Sequence, residues 1–256
     1  MTLCSCCLNG VPPTDLDPAI VLLDVREHAP ETSLVTLPVA GRDGERLTRA
    51  RRTSLSVSAD LELHDPDPAR RKQIARKLAR WALPGGWLTL GDRPGQRLRV
   101  TCDAPPTLAS ALHWTRPVTV TFTAHDAPWW EETSPAAAST TAPAATGAMT
   151  LRPTGDLPAP LTAAVTCAAP VHTLTLTAPG GAITLTGLSL APGDALTLDY
   201  DDRALLRLTA AGRSVLGLRT PESADDLWLT PRTDNRIAWQ ADGAVNVRLT
   251  ARGRCL

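Results

Sequence analysis

Between Thr53 and Trp130 one run of the chain leaves little conformational freedom. Leu55, Val57, Ala59, Leu61 and Leu63 alternate with Ser56, Ser58, Asp60 and Glu62. A period of two sends the apolar set to one face, so the run is a long strand with one side buried. Asp65-Pro66-Asp67-Pro68 ends it. Asp67 is placed to cap a helix that opens on Pro68, where the missing N–H costs nothing. Ile74, Leu78, Trp81 and Ala82 then recur at helical spacing, and Pro84-Gly85-Gly86 stops the helix. Its other faces carry Arg70, Arg71, Lys72, Arg76, Lys77 and Arg80 with no acidic residue among them.

Around this unit the chain reads as short strands and turns. Ala19 to Val25 is expected as a buried strand and Leu34 to Val39 as a second, with Pro38 marking an edge or a bend. Gly41-Arg42-Asp43-Gly44 carries Asp-Gly turn chemistry, and Glu45 to Arg52 is polar and rich in arginine. A projecting hairpin is expected there, either solvated or packed on another subunit. Trp87 to Leu90, Arg97 to Cys102, Thr107 to Trp114 and Val118 to Ala124 complete a mainly β first domain, residues 1–130, with one helix. Residues 131–148 are nearly all Ala, Thr, Ser, Pro and Glu, and are expected as a linker. In residues 149–256, short apolar runs alternate with Pro179-Gly180-Gly181, Pro192-Gly193-Asp194, Asp201-Asp202 and Asp242-Gly243. That rhythm is one of an antiparallel sandwich, with Arg236 to Trp239 and Val245 to Leu249 as separate strands.

Composition narrows the function. Lys+Arg and Asp+Glu both number 26, so nucleic-acid binding through bulk charge is disfavoured. The basic helix has no interleaved aromatics and no helix-turn-helix partner, which makes it a solvated or subunit-facing surface rather than a reader of sequence. Apolar runs such as Ala19 to Leu23 are too short to span a bilayer, so no membrane insertion is expected, and no export signal is visible. Cys4 and Cys7 have C-x-x-C spacing, but no second pair would complete a metal or redox site. Free thiols are the expectation.

The phosphate-binding, dinucleotide, nucleophile-elbow and H-E-x-x-H motifs are all missing from the sequence. The five histidines are scattered. His125-Asp126 has no nucleophile in a recognisable setting, and Glu131-Glu132, Asp201-Asp202 and Asp225-Asp226 read as turn acids. Trp228 and Trp239 sit inside apolar strand patterns and are expected in a core rather than stacked on a sugar. Neither catalysis nor a cofactor is expected.

Taken in order, the motifs resemble the distal tail proteins of long-tailed, non-contractile bacteriophages. The resemblance rests on Asn9-Gly10, Val39-Ala40-Gly41-Arg42-Asp43-Gly44, the strand Leu55 to Leu63, Leu78-Ala79-Arg80-Trp81, Leu90-Gly91-Asp92-Arg93-Pro94, and Val118 to Phe122 closing near Pro128-Trp129. In the second half it rests on Gly155-Asp156, Ile183-Thr184-Leu185, Gly193 to Asp199, and Asp226 to Pro231. The resemblance implies an N-terminal tail-tube-like β-sandwich with one helix, and a C-terminal galectin-like β-sandwich. It also implies a homohexameric ring in the virion tail, assembled in the bacterial host cytoplasm. Its partners would be the tail tube protein, the tape measure and the tail-tip or receptor-binding proteins, with DNA passing through unread. Gly41, Arg42, Asp43, Arg46, Arg70, Arg76 and Arg80 are the candidate subunit contacts. A carbohydrate-binding adsorption module and a cell-wall or capsule hydrolase are the competing readings.

Overall fold

The computed structural model describes residues 5–30, 32–38, 43–106, 116–201 and 205–256. The chain is mainly β and divides into two compact units, Met1–Trp130 and Glu131–Leu256.

The first unit is built on an antiparallel sheet. Its strands are β1 (Cys6–Leu8), β2 (Ile20–His28), β5 (Leu55–Leu63), β6 (Gly86–Leu90), β7 (Gln96–Ala104) and β8 (Val118–Ala124), and they lie in the order β1-β6-β7-β8-β5-β2. The register shifts within β7. Leu98 to Val100 pair with β6, whereas Thr101 to Ala104 pair with β8, with the shift between Cys102 and Ala104. In β5 the odd-numbered residues from Leu55 to Leu63 are all buried. Helix α1 (Pro68–Ala82) packs on this side through Ile74, Ala75, Leu78 and Ala82. Asp67 caps it, accepting from the Ala69 N–H at 2.9 Å. Trp81 is half-buried, lies edge-on to Phe122 with ring centroids 5.8 Å apart, and donates to the Val11 carbonyl at 3.1 Å. The helix ends at Ala82 with Leu83 as its cap, and the chain turns away through Gly85, whose φ of +61° is the left-handed conformation that glycine favours.

Cys6 and Cys7 belong to β1 as free thiols, Cys6 buried and Cys7 only partly covered. Two expectations change in this unit. The Ala19 to Val25 strand is an edge rather than a buried strand, with Val21 and Leu23 40% and 46% exposed beside a register shift at Leu22/Asp24. Arg71 leaves the solvated basic set, because it is 3% exposed and donates to the Asp65 carbonyl. The strand expected over Thr107 to Trp114 lies outside the described residues.

The second unit is organised by one long strand. β9 (Trp130–Glu132) begins at the last residue of the first unit, and the strands of the second are β10 (Ala136–Ser139), β11 (Ala144–Leu151), β12 (Ala159–Cys167), β13 (Val171–Ala178), β14 (Gly181–Leu190), β15 (Ala195–Tyr200), β16 (Leu206–Ala210), β17 (Arg213–Ser214), β18 (Trp228–Leu229), β19 (Asn235–Ala251) and β20 (Arg254–Cys255). The first half of β19 lies between β11 and β13, and its second half between β10 and β12. The sandwich core contains Leu161, Val165, Leu174, Leu185, Leu198, Leu229, Ile237 and Leu249. Asn235 anchors the start of β19: its amide donates to the carbonyls of Thr230 and Thr233 at 2.9 and 2.7 Å and its side-chain oxygen accepts from Thr230 N–H.

Two expectations are overturned here. Asp242-Gly243 is not a turn, since β19 runs through it with burial alternating along its whole length. Asp242 accepts from the N–H groups of His172 and Thr173 at 2.9 and 3.1 Å, and a Cβ on Gly243 would meet the Pro170 carbonyl oxygen at 2.2 Å. The glycine there admits the close approach of the Pro170 backbone while the strand stays in the sheet. Residues 131–148 are not a free linker either. They contain β10 and most of β11, both hydrogen-bonded to β19. Ala and Thr suffice there because a strand on a sheet surface needs backbone pairing more than large side chains.

Candidate functional site

β3 (Thr32–Pro38) and β4 (Glu45–Arg52) form a two-stranded sheet of their own. All eight residues of β4 are exposed. Leu34, Val35, Leu37 and Leu47 are 60%, 46%, 56% and 53% exposed, an unusual concentration of apolar surface on one small hairpin. The pairing shifts by one residue at Thr48, between Val35↔Arg49 and Thr36↔Leu47, and the Thr48 hydroxyl donates to the Val35 carbonyl at 2.7 Å. The shift sorts the side chains. Leu34, Ala50 and Leu47 share one face, whereas Arg46, Arg49 and Arg51 stand on the other beside Val35 and Leu37. An isolated two-stranded ribbon is marginal in water, so this one needs something against it.

The helix gives a second surface. Arg70 pairs with Asp65 at 2.9 Å and Lys77 with Asp17 at 3.0 Å. The hydrogen bond from Lys77, helped by the Ala19 N–H, holds the Asp17 carboxyl below its ordinary range. Lys72, Arg76 and Arg80 remain. Spaced at i, i+4 and i+8, they form an exposed stripe with no hydrogen-bond or ion-pair partner among the described residues.

The candidate contact residues thus separate. Arg46 lies on the arginine face of the hairpin, and Asp43 is exposed in its turn. Gly41 and Arg42 lie outside the described residues. Arg76 and Arg80 are on the unpaired stripe, whereas Arg70 is engaged with Asp65. Sequence reasoning missed the apolar hairpin face. Leu34 and Leu47 carry no mark that separates them from core residues until the pairing shift at Thr48 is known.

The competing readings find less support. His125 pairs with Asp103 at 3.1 Å rather than with its neighbour Asp126, and both partners are largely exposed. Among the described residues no group of His, Cys, Asp and Glu could hold a metal ion, and no helix is long and apolar enough to cross a membrane. Trp239 is 6% exposed and packs on Gly147, where a Cβ would lie 2.2 Å from the ring. Trp228 has the Arg254 guanidinium over its ring at 4.8 Å and Tyr200 at a centroid distance of 6.0 Å. Burial pushes Arg254 down to about 10 and Tyr200 up to about 12. Trp239 thus lies in the core as expected, whereas Trp228 does not: it is half-buried at the surface, with Arg254 and Tyr200 against it.

The architecture has a close counterpart among solved structures. The chain superposes on the crystal structure of the Dit protein of phage SPP1, described as a paradigm of the hub adsorption apparatus in phages infecting Gram-positive bacteria. The TM-score is 0.72 at 12% identity, over 98% of this chain and 99% of that one. The fold is therefore Dit-like from end to end. Two structures of the phage p2 baseplate in its activated conformation, with Ca and with Sr, match at TM-scores of 0.45 and 0.48, with 7% and 8% identity. They cover 92% and 91% of this chain and 90% of each baseplate chain. No family model and no curated protein matches the sequence.

Proposed function

We propose that this chain is a structural hub subunit of a non-contractile phage tail. Six copies form a ring at the distal end of the tail, joining the tube and the tape measure to the tip and receptor-binding proteins. The observation that carries the reading is the full-length likeness to the SPP1 Dit fold. The first unit builds the ring and the second projects as a platform. The hairpin and the Lys72-Arg76-Arg80 stripe supply contacts between subunits or to neighbouring tail proteins, because each leaves apolar or charged surface that the isolated chain does not satisfy. The protein's work is assembly rather than catalysis, carried out in the virion tail after production in the host cytoplasm.

Light scattering and negative-stain electron microscopy of the purified chain test this. A closed ring of six that caps tail tubes is the expected result. A chain that stays monomeric at assembly concentrations, alone and with tube protein, would overturn it.

A further inference from the structure

The outer face of the second unit carries a groove of about 380 Å³, formed by β11, β13 and β19. Its construction follows from the register. One rung is Thr146, Gln240 and Thr175; the next is Ala148, Ala238 and Thr177; beyond it Arg236 stands opposite Thr150. The small Ala148–Ala238 pair makes the floor, and Gln240 and Arg236 rise at its two ends. Four residues apart on one strand, these side chains are about 13 Å apart.

A second groove of about 400 Å³, on β12, β15 and β19, is more nearly self-contained, although its Arg248 is also without a partner among the described residues. There Thr162 bonds Thr250, and Asp199 holds Arg207 at 2.7 Å. In the first groove Thr175 bonds Thr184, but Thr146, Thr177, Arg236 and Gln240 have no partner among the described residues. Neutral donors and acceptors around methyl-lined floor, with one guanidinium at the end, match a ring bearing hydroxyls, C–H faces and a negative group.

We infer that this groove binds a saccharide carrying an anionic group, a uronic acid or a sugar phosphate. Arg236 takes the anion, Gln240 and the threonines take ring hydroxyls, and Ala148 and Ala238 receive the C–H face. The site does not use Trp228, Trp239 enters it only as lining beside Gly147, and it does not depend on the hub reading, since every lining residue belongs to one chain.

Ligand-observed NMR titrations of the full chain test the inference, with digalacturonate, glucose 1-phosphate and lactose as probes. At least one anionic probe binds at least tenfold more tightly than lactose, and the two anionic arms tell carboxylate from phosphate. Arg236→Ala weakens that binding at least tenfold, and Ala238→Leu, which fills the floor, abolishes it. Arg248→Ala, in the other groove, leaves it unchanged. Should Ala238→Leu fail to fold, Gln240→Ala serves in its place with an expected loss of at least threefold. Absence of binding by both anionic probes, lactose binding as tight as theirs, an unaffected Arg236→Ala protein, or an equal loss in Arg248→Ala would each overturn the inference.

Discussion

Glu27 concentrates three hydrogen bonds on one carboxylate. Arg93 donates to it through two nitrogens at 2.9 and 3.0 Å, and the Trp130 indole N–H donates at 2.8 Å. The Arg93 guanidinium also lies 5.1 Å from the Trp130 ring centre. The cluster ties β2 and the β6–β7 turn to the last residue of the first unit, and it is only partly exposed. Glu27→Ala leaves a half-buried guanidinium and an indole N–H without their acceptor, so it costs about 2–3 kcal/mol. Urea denaturation should show that loss, accompanied by a red shift of tryptophan emission in the native state. Asp17 gives a pH signature of the opposite kind. Its folded pKa is depressed below 3.8, so its contribution is complete above the unfolded value and is lost as pH falls through the folded one. Acid titration of stability should therefore decline below about pH 4, and Asp17→Asn should flatten that part of the decline.

At the scale of elements, α1 and β19 show what the sequence holds and what it hides. The cap at Asp67, the proline at the first helical position and the Pro84-Gly85 signal just past the helix end are all readable, because each is a local steric or hydrogen-bonding requirement. The fate of the basic residues is not readable. Arg71 is buried and Lys77 paired only because Asp65 and Asp17, distant or on a loop, come to meet them. What remains, Lys72, Arg76 and Arg80, contains two like-charge pairs at i, i+4, each of which destabilises an isolated helix by about 0.2–0.5 kcal/mol. Arg76→Glu converts both repulsions into attractions. The free chain should then gain about 1 kcal/mol, measured by thermal unfolding, while ring formation or capture by tail tubes is lost. A stable variant that still assembles would remove the stripe from the contact. β19 carries a different lesson. Ile237, Trp239, Ala241, Gly243, Val245, Val247 and Leu249 hold one parity through Asp242-Gly243. The turn dipeptide outweighed that alternation in the sequence reading, although a turn would have broken the parity and the parity is unbroken.

For the whole molecule, the order of elements and the Dit-like resemblance were legible, because alternation and punctuation are local signals that survive at 12% identity to a structural counterpart. The surfaces were less so. Arg46, Arg76 and Arg80 could be picked as exposed arginines, whereas the apolar hairpin face needs the shift at Thr48, and the saccharide groove needs three strands brought side by side. The extent of the second unit was hidden for a related reason: Ala-Thr-Pro composition looks the same in a tether and in a strand whose partner is a hundred residues away. The distinction has a direct consequence for truncation. A fragment of residues 131–256 keeps β10 and β11 on β19, keeps Gly147 under Trp239, and keeps the Ala144 carbonyl that accepts from the Trp239 indole at 3.3 Å. It should unfold in one cooperative transition. A fragment of residues 149–256 removes β10 and five residues of β11, uncovers Trp239 and leaves one side of β19 unpaired along most of its length. Losing about 2 kcal/mol or more in a domain of this size lowers the melting temperature by roughly 10 °C. Differential scanning calorimetry of the two fragments decides the matter, since a true linker would give them the same melting temperature.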